Sequence, residues 1–128
     1  EIGQHGASNV SVYGDSAGGQ IALSAVESLV SQGQPVPASM VLMSPRLAPG
    51  QTNPNVGFVH DPLLLFEPSE AIGKEWAGNL PLSDPLVTPL NGSLSGLPQT
   101  YVYSGSLDSL GPDVVVLQQE AAAQGAPI

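Results

Sequence analysis

The stretch Gly14-Asp15-Ser16-Ala17-Gly18-Gly19 constrains this chain more than any other. A short β-branched and apolar run, Val10-Ser11-Val12-Tyr13, stands before it, and a long amphipathic stretch over 21–30 comes after it. A strand that turns sharply at a serine and passes straight into a helix is the setting of a G-x-S-x-G elbow. The serine at such a turn is held in strained backbone geometry, and its hydroxyl projects at the end of a sheet. The positions two before and two after the serine are expected to crowd together, and glycines, Gly14 and Gly18, occupy both. The plainer reading is a glycine-rich strand-to-helix turn with an incidental serine, because a bare G-x-S-x-G is a short pattern. The flanking strand and helix favour Ser16 as a nucleophile.

Charge narrows the partners. Only Arg46 and Lys74 are basic against eleven acids, a net charge of −9. A surface this poor in Lys and Arg releases few counterions from nucleic acid or anionic lipid, which argues against both and suits a neutral or weakly polar substrate. Hydrophobic residues make up 41% of the 128, enough for one small globular domain with its own core. There is no cysteine, so disulfides and thiolate metal sites are excluded while the redox compartment stays open. No transmembrane segment is read, and no basic-then-apolar leader opens the chain. Glu1-Ile2-Gly3-Gln4-His5 begins without a methionine or visible cap, and the expectation is a piece of a longer protein.

The fold class read from the order of elements is α/β. The helix over 21–30 carries apolar residues at 21, 22, 25, 26, 29 and 30, one stripe at helical spacing, and ends at Gly33 with Pro35 and Pro37 behind it. The nearly continuous apolar run 38–44 has the pattern of a strand buried on both faces. Strand, helix and strand with short joints make a right-handed βαβ unit. Residues 45–60, rich in Pro, Gly and Asn, form a long loop, and 61–66 and 67–78 read as two short helical pieces. Residues 84–98 return to loop, 99–105 form the third strand, and a helix runs from Pro112 to a stop near Gly125. The expected sheet thus has three parallel strands at about 10–14, 39–44 and 99–105, with crossover helices and a loop and short-helix insertion.

Serine catalysis needs a base, an acid that orients the base, and donors for the oxyanion. The backbone N–H of Ala17 comes from the elbow itself as one such donor, aided by the helix N-terminus. Asp108 lies just past the third strand, which in a parallel sheet puts its carboxylate on the same C-terminal edge as Ser16. Asp84, on an irregular loop, and Asp113, in the first turn of a helix where capping suffices, are rivals for the acid. Any of the three also fits an ordinary loop or cap carboxylate. No metal cluster, phosphate loop or dinucleotide fingerprint is present, and no cofactor is expected: the elbow lacks the Rossmann glycine spacing and the P-loop lysine.

The elbow resembles that of the hormone-sensitive-lipase branch of the α/β-hydrolases. The resemblance continues through Leu42-Met43-Ser44-Pro45, Asp84-Pro85-Leu86-Val87-Thr88-Pro89-Leu90, Gly96-Leu97-Pro98, Gly105, Asp108, Leu110, Pro112 and Asp113, and closes with Gln124-Gly125-Ala126-Pro127. The wording around Trp76-Ala77-Gly78-Asn79-Leu80-Pro81 and Tyr101-Val102-Tyr103-Ser104-Gly105 is further similar to mycobacterial PE-type triacylglycerol lipases. The resemblance implies a partial α/β-hydrolase fold, the chain being the C-terminal-half segment of one domain. It implies hydrolysis of a small-molecule or lipid ester through an acyl-enzyme, with Ser16 as nucleophile and Asp108 as triad acid. Region 46–80 would form the cap or acyl pocket, with Phe58, Leu64, Phe66 and Trp76 as pocket or cap residues, or as ordinary packing of short helices. It also favours export to the cell envelope, although the family includes cytoplasmic members.

Two departures from the family pattern bear on activity. Its His-Gly-Gly oxyanion motif lies upstream of the elbow and is absent, and its histidine lies downstream of the acid, past the strand that Ala126-Pro127-Ile128 begins. His5 and His60 occupy neither place and are read as solvated or structural side chains. The chain alone is therefore expected to be inactive and, with open sheet edges, to self-associate. A non-catalytic binding scaffold and an acyltransferase on the same fold are the competing readings.

Overall fold

Val12, Met40 and Thr100 stand side by side in the sheet, as do Gly14, Leu42 and Val102. They mark the inner face of three parallel strands: β1 (Ser11–Asp15), β2 (Ser39–Met43) and β3 (Gln99–Tyr103), in the order β1-β2-β3. The computed structural model describes residues 1–50, 53–64 and 70–128. A single helical turn, α1 (Ile2–His5), precedes β1, α2 (Ala17–Ser31) joins β1 to β2, and α3 (Glu70–Ala77) lies in the long connection between β2 and β3. After β3 comes α4 (Gly111–Gln124).

Because side chains alternate along a strand, the register assigns every residue to a face. Met40 and Leu42 are fully buried and join Leu23 and Val26 of α2 and Leu117 and Ala121 of α4 in one cluster, which Leu47, Leu94 and Leu97 complete from the loops. The opposite face carries Tyr13, Val41 and Tyr101 in one row and Asp15, Met43 and Tyr103 in the next. It is open: Tyr13 is 65% exposed and Tyr103 55%. The expectation that β2 is buried on both faces is thus corrected. The apolar run would suit two helical layers, and among the described residues only one layer packs on the sheet.

Local chemistry explains where the elements stop. After α2, Gly33 takes φ 63°, its N–H bonds the Val30 carbonyl at 3.0 Å, and Gln34 N bonds the Leu29 carbonyl at 2.9 Å. These are the two bonds of a Schellman ending, which occupy carbonyls that the helix itself cannot. Gly125 ends α4 in the same way, with φ 65° and Ala126 N on the Ala121 carbonyl at 2.9 Å. The valine run 114–116 does not interrupt α4. Beyond it Pro127 runs beside β3, its carbonyl accepting from Thr100 N at 2.8 Å.

The connection over 81–98 is tied to α2 by buried polar side chains. Gln20 Nε2 donates to the Val87 carbonyl at 2.8 Å and Ser24 Oγ to the Pro85 carbonyl at 3.1 Å. One expected element is corrected here: 61–64 form a bend, not a helical piece, because Asp61 folds the chain back on itself. Residues 65–69, on which the rest of that piece, Phe66 and the start of the second piece fall, lie outside the described residues. The second piece is α3, which begins at Glu70.

Candidate active site

Ser16 comes directly after β1 and takes φ 53° and ψ −117°, a backbone conformation costly for any residue with a Cβ, by about 1–3 kcal/mol. Four bonds hold it there. Its N–H donates to the Met43 carbonyl of β2 at 2.9 Å. Its carbonyl accepts from Gly19 N at 3.0 Å, Gln20 N at 3.3 Å and Arg46 N at 3.0 Å. Strand edge, helix and the loop after β2 thus over-determine one strained residue.

The glycines answer the crowding unequally. A Cβ on Gly14 would overlap the Gly18 carbonyl oxygen and stand 2.7 Å from Gly19 N. A Cβ on Gly19 would stand 2.7 Å from Pro45 Cβ. A Cβ on Gly18 meets nothing within 4 Å. The expected constraint at Gly18 is therefore corrected: its backbone crowds Gly14, but its own side-chain direction is open, and Gly19 carries the second close approach.

Ser16 stands at the N-cap of α2, a position where a serine commonly bonds its own helix. Here it makes no side-chain cap bond, and the residue is exposed. Ser16 lines a pocket of about 410 Å³. Asp15 and Ser44 share Ser16's side of that pocket, Asp61 to Leu64 form a second wall, and Gly105, Leu107, Asp108 and Leu110 form a third. Ala17 is the first residue of α2, where backbone N–H groups have no intrahelical acceptor and the helix dipole is positive.

Asp108 is held through both oxygens. Ser104 Oγ donates to Oδ2 at 3.0 Å and Leu110 N to Oδ1 at 2.9 Å. Its rivals are elsewhere. Asp84 accepts from Leu86 N at 2.9 Å and lines a different pocket, beside Glu27 and Ser28 of α2. Asp113 accepts from Asn53 Nδ2 at 3.0 Å, and burial raises its carboxyl above the usual range. Neither lines the Ser16 pocket, and neither do His5 and His60, both exposed. His5 Nε2 lies 3.3 Å from Glu1.

Of the expected pocket residues, Leu64 lines the cavity, whereas Phe58 (83% exposed) and Trp76 (50% exposed) do not. Two residues that the sequence did not single out do line it. Ser44 comes after β2 as Ser16 comes after β1, with φ 40° and its N–H on the Tyr103 carbonyl at 2.7 Å. Asp61 accepts from the backbone N–H groups of Leu64, Ser109 and Leu63, which hold its carboxyl far below the usual carboxylate range. The Asp61-Pro62 pair, a turn-starting dipeptide, was the available signal. Among the described residues no group of three His, Cys, Asp or Glu side chains is placed to hold a metal ion, and no helix is long and apolar enough to cross a membrane.

A parallel sheet with a strained serine between strand and helix, and a carboxylate after a later strand on the same edge, defines an α/β-hydrolase architecture. A family model described as alpha/beta hydrolase fold matches residues 3–128, and the chain belongs to that family. It is similar to a triacylglycerol lipase of Mycobacterium tuberculosis, 54% identical over 127 residues, which cover 99% of this chain and 25% of the lipase. An acetyl-hydrolase of Streptomyces hygroscopicus is 31% identical over 121 residues, covering 93% of this chain and 40% of that protein. Among solved structures, an esterase from the bacterial hormone-sensitive lipase family superposes with a TM-score of 0.84 at 30% identity, covering 98% of this chain and 44% of the esterase. The chain thus spans between a quarter and two fifths of the length of these curated relatives. Their names support ester hydrolysis as an activity of the family.

Proposed function

We propose that Ser16 is the nucleophile of a carboxylic ester hydrolase, with Asp108 as the acid of its triad and the Ala17 N–H as one oxyanion donor. The observation that carries this is the strained, exposed Ser16, free of any capping bond at a helix N-terminus, lining the same pocket as Asp108. Ser16 Oγ attacks the ester carbonyl carbon while its proton passes to a base. The carbonyl electrons move onto oxygen, where the Ala17 N–H and the positive end of α2 stabilise the charge. Collapse breaks the C–O bond, the proton goes to the leaving alcohol, and water then releases the acid from the acyl-enzyme. Neither histidine here lines the pocket, so in this reading the base is a histidine supplied by residues beyond these 128.

Leu63, Leu64, Leu107 and Leu110 give the pocket apolar walls, and the net charge of −9 disfavours anionic substrates. Together with the lipase relative, they support a neutral ester with an apolar acyl chain. In the full-length protein a fluorophosphonate probe should label Ser16, and Ser16→Ala should abolish both labelling and p-nitrophenyl ester hydrolysis. Hydrolysis that survives Ser16→Ala sinks the reading.

A further inference from the structure

One wall of the Ser16 pocket is built from one carboxylate. Asp61 Oδ1 accepts from Leu63 N and Leu64 N, both at 2.9 Å, folding 61–64 into an Asx turn. Its other oxygen, Oδ2, accepts from Ser109 N at 2.9 Å, one residue past Asp108. The same side chain thus shapes the loop and joins it to the turn after β3. A second tether, Asn53 Nδ2 to Asp113 Oδ1 at 3.0 Å, fixes the other end of this segment to the first turn of α4.

Burial does not hold this wall in place. Leu63 is 84% exposed and Leu64 42%, so packing beneath them contributes little to its position. Charge-assisted bonds from three N–H groups do, and such bonds are about twice as strong as neutral ones. Asp108 keeps its own bonds to Ser104 Oγ and Leu110 N, neither of which involves Asp61.

We propose that Asp61 sets the acyl-chain preference of the Ser16 pocket by clamping the Leu63–Leu64 wall to the turn that carries Asp108. The inference rests on the catalytic reading of Ser16. Asp61 is a positioning residue. A short acyl group reaches only the vicinity of Ser16 and Asp108, whereas a long one lies along Leu63 and Leu64. Losing the clamp therefore penalises long chains and spares the chemical step.

The test is Asp61→Asn in the full-length protein, which keeps the side chain's size but turns an N–H donor towards a backbone N–H. The ratio of kcat/KM on a long-chain to that on a short-chain p-nitrophenyl ester should fall about tenfold, through KM. On the short-chain ester kcat and its pH profile should hold, and amide hydrogen exchange should rise together in the 61–64 segment and at Ser109, whose N–H loses its acceptor. An unchanged ratio, a uniform loss of kcat on both esters, or exchange rising at only one of the two places overturns the clamp. Leu64→Ala tests the wall without touching Asp61; a flat chain-length ratio there also overturns it. Ser16→Ala run in parallel separates the failures. Surviving hydrolysis removes the catalytic reading and this inference with it, whereas Ser16-dependent hydrolysis with flat ratios removes the clamp alone.

Discussion

Of the three serines just past strand ends in this sheet, Ser16 after β1, Ser44 after β2 and Ser104 after β3, the first two take a positive φ, 53° and 40°. Both donate their N–H to the last carbonyl of the next strand, Met43 and Tyr103 respectively, at 2.9 and 2.7 Å. Both line the same pocket. They differ in the segment each one leads into. After Ser16 the chain enters α2, and the free N–H groups of its first turn stand beside the serine. After Ser44 comes Pro45, which has no N–H to offer, and the chain leaves as loop. Ser16 is exposed and Ser44 half-buried. A sharp turn at the edge of a parallel sheet presents a hydroxyl; only the turn that becomes a helix also presents donors for the charge that attack would create.

The largest expected effect tests that contrast directly. In the full-length protein Ser16→Ala should lower ester hydrolysis on the order of 10⁴-fold or more, whereas Ser44→Ala should keep most of kcat. Equal losses would show that the helix makes no difference between the two turns. Next in size, Asp108→Asn should lower kcat by about 10²–10⁴-fold with little change in KM, while Asp84→Asn and Asp113→Asn keep kcat. A large loss from Asp84→Asn would move the acid to the pocket beside Glu27 and Ser28.

Smaller effects concern how the Ser16 turn is built. Gly14→Ala pushes a Cβ into the Gly18 backbone and should cost about 3 kcal/mol, read as a lowered denaturant midpoint. Gly18→Ala meets open space inside a helix and should stabilise by up to about 1 kcal/mol. If the two substitutions destabilise equally, the crowding is symmetric after all. Further along α2, Glu27 is 7% exposed, and both its carboxyl oxygens are buried without a hydrogen-bond partner among the described residues. Burial pushes its carboxyl up to about 8 from an ordinary 4.5. The folded state therefore holds a proton that the unfolded chain releases. Stability from this group is complete below about 4.5 and falls as pH rises towards 8, by about 1.4 kcal/mol for each unit crossed. Thermal melts across that window should show the slope in the native protein and its loss in Glu27→Gln. A flat native profile would mean that α2 is anchored without regard to this carboxyl.

Much of the fold was legible because its signals are local. Apolar, β-branched and aromatic runs placed three strands within about two residues of their ends, and Gly33 and Gly125 marked both long-helix stops through the left-handed turns they permit. Ser16 was legible from its flanking strand and helix, and the place of Asp108 from the strand before it. Asp61 was not. Its meaning depends on Ser109, 48 residues away, and an Asp-Pro at a bend looks the same whether or not a distant N–H waits for it. The run 38–44 misled for a related reason: apolar residues on both faces of β2 state what a strand can bury, not how many layers reach it.

By itself the sequence determined the order of elements, the parallel sheet and the strained turn at Ser16, because periodicity, glycine spacing and helix ends act over a few residues. Tertiary structure alone decided that Asp61 joins Asp108 at the Ser16 pocket, that Pro45 crowds Gly19, and which loop forms a further wall of that pocket. Those outcomes rest on contacts between segments tens of residues apart, and no short stretch of chain encodes the partner it will meet.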